Sequence, residues 1–238
     1  MYAALNTPAG NQPFNDWFIP DTTQRFALGT KQSAVDPYWG WGEFVYAKAS
    51  GSIATRLLCV LDETFLAVGM PNAANQGFPA CVAMAKMATL TFGWFMLVGL
   101  TPIVASATVA ADASVGLTGV GTIGAFAAGK QIVNVRNRLS QTGTKTFANT
   151  QTTNGNGVLL TNGYDGLFLG AALSGTGIPA STVVAKLDPD GRTVYTGSAV
   201  GTLGDKNSTA TGSITLTGTW TGYSVCQIAY PFSQGQIT

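Results

Sequence analysis

The chain contains no histidine, the side chain that most often acts as a general base, completes a catalytic triad or binds zinc. Charged residues are also scarce, at 10% of the 238 residues, against roughly a quarter in an ordinary soluble protein. The 12 basic and 11 acidic residues leave a net charge of +1, which provides no general field for nucleic acid or an anionic membrane. The composition argues against enzymes and nucleic-acid binders, and a surface with few charges is expected to be covered by partners.

The three cysteines, Cys59, Cys81 and Cys226, lie far apart and form no CxxC pair. An odd, scattered set argues against a disulfide framework and against a zinc site, and it fits assembly in a reducing cytosol. Asp188 and Asp190 resemble the start of a calcium loop, but the later ligands are missing, so this stretch is interpreted as a turn. We expect no catalytic residue, no cofactor and no metal.

Two other chemical interpretations are weighed against this expectation. Residues Gly119–Gly124 match GxGxxG, but the match follows no clear βα unit in a chain with 30 glycines, so we assign it no nucleotide-binding role. The acidic residues are mostly single and sit at predicted turns. A pair of carboxylates brought together in space, as in a polysaccharide depolymerase, stays open as an alternative.

The stretch from Met87 to Ala111 carries no charge and is long enough to span a bilayer. It is interrupted by Gly93, Gly99 and Pro102 and divides into strand-sized pieces, so we expect no membrane contact and keep a transmembrane helix as the alternative. The N-terminus has neither a basic region nor a continuous apolar run, and we do not expect a secretory signal.

The fold class predicted for the chain is all-β. Short segments of β-branched and aromatic residues alternate with glycine and Asx turns. Residues 80–88 have no clear period, so a short helix there is kept as an alternative. Residues 43–48 alternate as a half-buried strand should. We predict an extended N-terminal arm over 1–24, a β-barrel or β-tulip-like domain over 25–139, and a small antiparallel β-sandwich over 140–238. The arm is expected to lie across a neighbouring subunit or on its own domain.

Two stretches resemble structural proteins of bacteriophages. Residues 174–184, SGTGIPASTVV, resemble a motif of β-sandwich modules in these proteins, with Ser181 where that motif has glycine. Residues 25–137 are similar to capsid decoration, or cement, proteins through Gly29-Thr30, Gly40–Tyr46, Phe92–Phe95 and Ala128–Lys130, taken in order, and 231–235 resemble their C-terminal tail.

The resemblance implies a virion protein on the outer surface of the capsid, assembled in the host cytoplasm, that binds the major capsid protein and itself as a homotrimer. Domain 25–139 would then be the capsid-binding domain. Large aromatic side chains dominate binding hot spots, so the predicted partner-binding residues are Phe14, Trp17, Phe18, Trp39 and Trp41. The alternative is a phage tail, fibre or head-spike module.

Overall fold

The computed structural model describes residues 3–4, 17, 19–36, 40–106, 109–139, 143–163, 167–188 and 191–235. Over these ranges the chain forms seventeen β-strands and no α-helix, which confirms the all-β prediction. The open alternative of a helix over 80–88 is wrong, because Ala80–Ala83 is a strand. The chain divides into two compact units, which we call the body (Tyr2–Gln141 and Gly222–Thr238) and the inserted unit (Thr142–Thr221).

The body is built on an eleven-stranded sheet in the order β1-β2-β3-β5-β4-β6-β7-β17-β10-β8-β9. Its strands are β1 (Ala3–Ala4), β2 (Lys31–Asp36), β3 (Gly40–Ala49), β4 (Leu58–Leu61), β5 (Leu66–Gly69), β6 (Ala80–Ala83), β7 (Phe92–Val104), β8 (Ser114–Gly119), β9 (Thr122–Ala125), β10 (Gln131–Leu139) and β17 (Tyr223–Ser233).

Within this sheet, β3 pairs with β7 as well as with β2 and β5, so that β3, β5, β4, β6 and β7 close into a ring. One core cluster draws on all five strands, and alanine and cysteine side chains fill much of it. Small side chains are what a narrow closed barrel can accommodate. The ring therefore forms a small barrel inside the segment for which one was predicted.

The opposite side of the ring strands faces a second core cluster, shared with residues of β8, β10 and β17. Phe44 and Tyr46 point into this second cluster, whereas Val45 and Ala47 point into the barrel, and all four side chains are fully buried or nearly so. The strand predicted over 43–48 is present, but its predicted half-burial is wrong for this reason. Over 44–47 both faces of β3 are covered, one by the barrel and one by the second cluster.

The inserted unit is a closed six-stranded barrel in the order β11-β12-β15-β14-β13-β16. Its strands are β11 (Gly143–Thr152), β12 (Val158–Leu160), β13 (Ala172–Gly175), β14 (Thr182–Leu187), β15 (Thr193–Gly197) and β16 (Gly212–Trp220). The predicted end of this domain at residue 238 is wrong. Strand β17 pairs with β7 and β10 of the body, because its alternating apolar residues complete the core there.

The sequence-predicted turns of the inserted unit are present. Leu187 pairs with Val194, and the Asp188 N–H donates to the Thr193 carbonyl at 2.9 Å, so β14 and β15 form the expected hairpin. Ser181 has φ +56°, the left-handed conformation that glycine adopts most easily. Ser181 thus adopts at this turn a backbone conformation that is uncommon for a residue with a side chain.

Candidate functional site

The five predicted partner-binding residues fall into three groups. Phe14, Phe18 and Trp39 lie outside the described residues, and their role stays a prediction. Trp17 is 3% exposed, and Trp41 is 47% exposed. The structure thus separates the two tryptophans it describes, because one is a core residue and the other presents its indole at the surface.

Trp17 packs entirely against its own chain. Its ring stacks on Trp94 with centroids 4.6 Å apart and meets Phe44 edge-on at 4.4 Å. Asp21, four residues further along the chain, is held in two ways. The Tyr46 hydroxyl donates to Asp21 Oδ2 at 2.7 Å, and the backbone N–H groups of Asp21 and Phe92 each donate to the other residue's carbonyl. Since the indole is enclosed, Trp17 belongs to the body core in this chain and offers no surface to a partner.

Trp41 belongs to an exposed group that we call the Trp41 face, which consists of Lys31, Trp41, Glu43 and Tyr230. Trp41 and Glu43 are two residues apart on β3, in a stretch where β2 and β3 pair without interruption from Lys31 to Asp36. Alternate residues of a strand point to the same side of the sheet. The two side chains therefore emerge together, beside the edge of the sheet formed by β1 and β2.

Tyr230 reaches this face from β17, on the far side of β7. Its hydroxyl donates to Glu43 Oε1 at 2.6 Å, and Lys31 Nζ lies 5.2 Å from the ring centroid. Lys31 Nζ is also 3.5 Å from Glu43 Oε1. The hydrogen bond to Glu43, with smaller contributions from burial and the carboxylate charge, raises the pKa of Tyr230 above its ordinary value. The phenol is thus fixed as a neutral donor.

Backbone irregularities hold the side chains of this face in place. Tyr230 has φ +48°, an uncommon conformation for a residue with a side chain, and Gly99 has φ +129°. A Cβ on Gly99 would lie 2.8 Å from the Trp41 carbonyl oxygen and 3.1 Å from Gly42 Cα. The β3–β7 pairing also shifts register after Glu43. Such bulges change the direction in which side chains point. Here the Tyr230 ring of β17 reaches the Glu43 side chain of β3.

The chemistry of the Trp41 face is that of a contact surface. It presents two aromatic side chains, each about half exposed (Trp41 47%, Tyr230 50%), around a lysine and a glutamate that neutralise each other. Among the described residues there is no group of three His, Cys, Asp or Glu side chains able to hold a metal. The geometry provides stacking area, apolar area and hydrogen-bonding groups without a net charge.

The three cysteines are buried thiols in the body. Cys59 and Cys81 face each other as paired residues of β4 and β6, and Cys226 lies on β17. Burial raises the pKa of all three thiols, that of Cys226 to about 12. A thiol with so high a pKa carries almost no thiolate at neutral pH and is a poor nucleophile.

A second surface feature is an open apolar cavity of about 470 Å³ at the end of the β8–β9 hairpin. Its lining is Val109, Ala110, Ala113, Ser114, Ala125, Phe126 and Gln131. Phe126 is half exposed there. These described lining residues include no charged side chain, and their polar side chains are Ser114 and Gln131, so the cavity offers mainly apolar contact.

Sequence reasoning reached Trp41 but missed Lys31, Glu43 and Tyr230. Tyr230 and Glu43 are 187 residues apart, and no local pattern indicates that they meet. The GxGxxG stretch forms the tight connection between β8 and β9, where Gly121 has φ +63°.

No described helix has the length and hydrophobicity needed to cross a bilayer, and most of 87–111 is strand β7. Comparison of the chain with protein-family profiles, with curated proteins and with solved structures found no match.

Proposed function

We propose that this chain is a bacteriophage structural protein that binds the outer surface of the capsid shell and stabilises it, as decoration or cement proteins do. The proposal draws on the resemblance of residues 25–137 and 231–235 to such proteins. It also draws on the Trp41 face, which is the observation that carries it. The partners would be the major capsid protein and further copies of this chain in a homotrimer, at the surface of a virion assembled in the host cytoplasm.

The Trp41 face has the properties of a binding hot spot. Tryptophan and tyrosine are enriched in hot spots because they bury a large rigid area at low entropic cost. Tyr230 is already fixed by its hydrogen bond to Glu43, so little conformational freedom is lost on binding. The lysine and glutamate of the face are already paired with each other. We therefore expect a partner surface that is itself apolar or neutral at this point.

Stabilisation would follow from mass action alone. A protein that binds the assembled shell but not its dissociated subunits stabilises the shell by linkage, by about 2.7 kcal/mol for each site at a free concentration of 100 times Kd. A trimer that contacts several capsid subunits would add avidity to modest single contacts. No step in this mechanism requires a covalent reaction.

The test is binding of purified protein to undecorated shells, measured by co-sedimentation over a concentration series. Trp41→Ala and Tyr230→Ala are each expected to weaken binding at least 30-fold, the equivalent of about 2 kcal/mol. The matched control is Leu90→Ala. Leu90 is an apolar side chain that is more exposed, at 61%, than either Trp41 or Tyr230, and it lies outside the face. Binding by the two face variants that equals that of the control would refute the Trp41 face as the contact.

A tail, fibre or head-spike module is the second candidate. It is favoured by the SGTGIPAST stretch, which forms the end of strand β13, the following turn and the start of β14 in the closed barrel of the inserted unit. Electron microscopy of particles carrying tagged protein separates the two roles. A decoration protein repeats over the whole shell, whereas a tail or spike component is confined to one vertex or one structure.

A further inference from the structure

The fold brings two of the three cysteines together inside the small barrel of the body. Cys59 of β4 and Cys81 of β6 are 22 residues apart in the sequence and directly opposed in the antiparallel ladder. Both side chains are fully buried and belong to the same core cluster. Cys81 Sγ lies 3.8 Å from the carbonyl oxygen of Cys59. The two thiols therefore face one interior from neighbouring strands.

The backbone separation at this pair suits a disulfide. The Ala83 N–H donates to the Leu57 carbonyl at 3.0 Å. The pair two residues further along the ladder, Cys59 with Cys81, is therefore also of the hydrogen-bonded kind, whose Cα atoms are about 5.5 Å apart. Disulfides span Cα separations of about 4.4–6.8 Å. Opposed Cβ atoms are about 4.5–5.5 Å apart, against about 3.5–4.5 Å in a disulfide, so the strands need to approach by about 1 Å.

We propose that Cys59 and Cys81 form a disulfide when a small-molecule disulfide such as oxidised glutathione reaches them. One cysteine, as its thiolate, attacks a sulfur of oxidised glutathione, forms a mixed disulfide and releases one glutathione thiol. The second cysteine then attacks the protein sulfur of the mixed disulfide and releases the other glutathione. Two protein S–H bonds and the glutathione S–S bond break. One protein S–S bond forms, and the two glutathione thiols carry the two hydrogens.

Burial controls when this reaction occurs. Removal from water raises the pKa of both thiols, and a fully buried sulfur does not meet glutathione. The oxidant therefore reaches the pair while the barrel is open, during folding or local unfolding. Once the barrel closes, burial protects whichever state has formed. The conditions in which the chain folds would thus decide between two thiols, in a reducing cytosol, and the disulfide, in an oxidising medium.

The disulfide would stabilise the closed ring of strands. It joins β4 to β6 and encloses the segment that contains β5. Strand β5 meets β3 through two residue pairs, Lys48 with Leu66 and Ala49 with Ala67. A link that closes a loop of this length removes conformational freedom from the unfolded chain. The inference concerns the body core alone and does not rest on the proposed function.

The experiment uses the purified, fully reduced wild-type protein. It is incubated with oxidised glutathione over a series of urea concentrations, from below the unfolding midpoint to full unfolding followed by dilution, so that the oxidant reaches the thiols. Remaining thiols are then labelled with iodoacetamide in denaturant, and tryptic peptides are analysed by mass spectrometry. Cleavage after Arg56 and Lys86 leaves both cysteines in one peptide, 57–86. The link is detected as the loss of two hydrogens from that peptide without any label.

We expect peptide 57–86 to carry the link and the peptide that contains Cys226 to carry the label. Cys226→Ala should link to the same extent. The matched control, Cys81→Ala, should leave Cys59 as a thiol or as a glutathione adduct. The linked chain should unfold at a urea midpoint roughly 1 M above that of the reduced chain, and reduction should remove the difference.

Three results would overturn the inference. The first is two labels, or two glutathione adducts, on peptide 57–86 at every urea concentration. The second is a link to Cys226 or to another chain in place of the expected one. The third is a linked chain whose midpoint is unchanged or lower, because a bond that forms in the open chain but does not fit the barrel destabilises the fold. Each result is independent of shell binding.

Discussion

Replacing Trp17 by alanine tests whether this residue stabilises the body or serves a partner. The ring is 3% exposed and contacts Trp94 and Phe44. Burial of about 200 Å² of aromatic surface at 25 cal/mol per Å² corresponds to about 5 kcal/mol, and measured Trp→Ala changes in cores cost about 3–5 kcal/mol. We expect the free energy of unfolding of the body to fall by about 3–5 kcal/mol.

The assay is urea unfolding of the isolated chain, followed by far-UV circular dichroism. With a urea m-value of about 2 kcal/mol per M for a unit of this size, the midpoint of the body transition should fall by roughly 1.5–2.5 M. The matched control is Trp41→Ala, which removes the same side chain from an exposed position and should change stability by about 0.5 kcal/mol or less. Equal midpoints for the two variants would refute the core role of Trp17.

Two further predictions concern the turns and the domain organisation. Asp62 Oδ1 accepts hydrogen bonds from Thr64 N at 2.8 Å and Leu66 N at 2.9 Å, so Asp62→Ala should cost about 1 kcal/mol in thermal or urea unfolding. These bonds, the Leu66 N–H first, lower the pKa of Asp62. The stabilisation is therefore full well above the ordinary pKa of aspartate, about 3.9, and lost as the pH falls through the lowered pKa. A difference between wild type and variant that does not shrink as the pH falls from about 5 to about 2 would contradict this. Joining Gln141 directly to Gly222 removes the inserted unit and leaves a connection of three residues (140, 141 and 222) between β10 and β17, which hairpins accept. The shortened chain should unfold cooperatively by circular dichroism, whereas a chain that aggregates or melts gradually would show that the body needs the inserted unit.

Most strands of this chain were predictable from local pattern. Residues 213–218 and 224–230 are short segments of Ser, Thr and apolar residues that favour strands, and the Asp-Pro-Asp-Gly sequence at 188–191 favours a turn. The structure has β16, β17 and the β14–β15 hairpin at these places. Local signals suffice here because side-chain period and turn geometry are properties of a few consecutive residues. Local pattern misleads at residues 25–31, RFALGTK, where the apolar residues suggest a strand but β2 begins only at Lys31.

The candidate site was only partly predictable. Trp41 stood out as a large aromatic residue among glycines, and it is exposed. Trp17 looked equivalent by the same criterion and is buried, because only the folded chain places Trp94 and Phe44 around it. Tyr230 joined the site through a hydrogen bond to Glu43 that crosses 187 residues of sequence.

The sequence alone determined that this is an all-β chain made of brief strands, poor in charge and lacking imidazole, because composition and period-two patterning are local quantities. Only the tertiary structure decided that β17 returns to the body, that the barrel of 143–220 is an insertion, and which of two similar tryptophans faces solvent. The reason is that strand pairing and burial depend on partners far along the chain. A strand carries the same pattern whichever neighbour it finally joins.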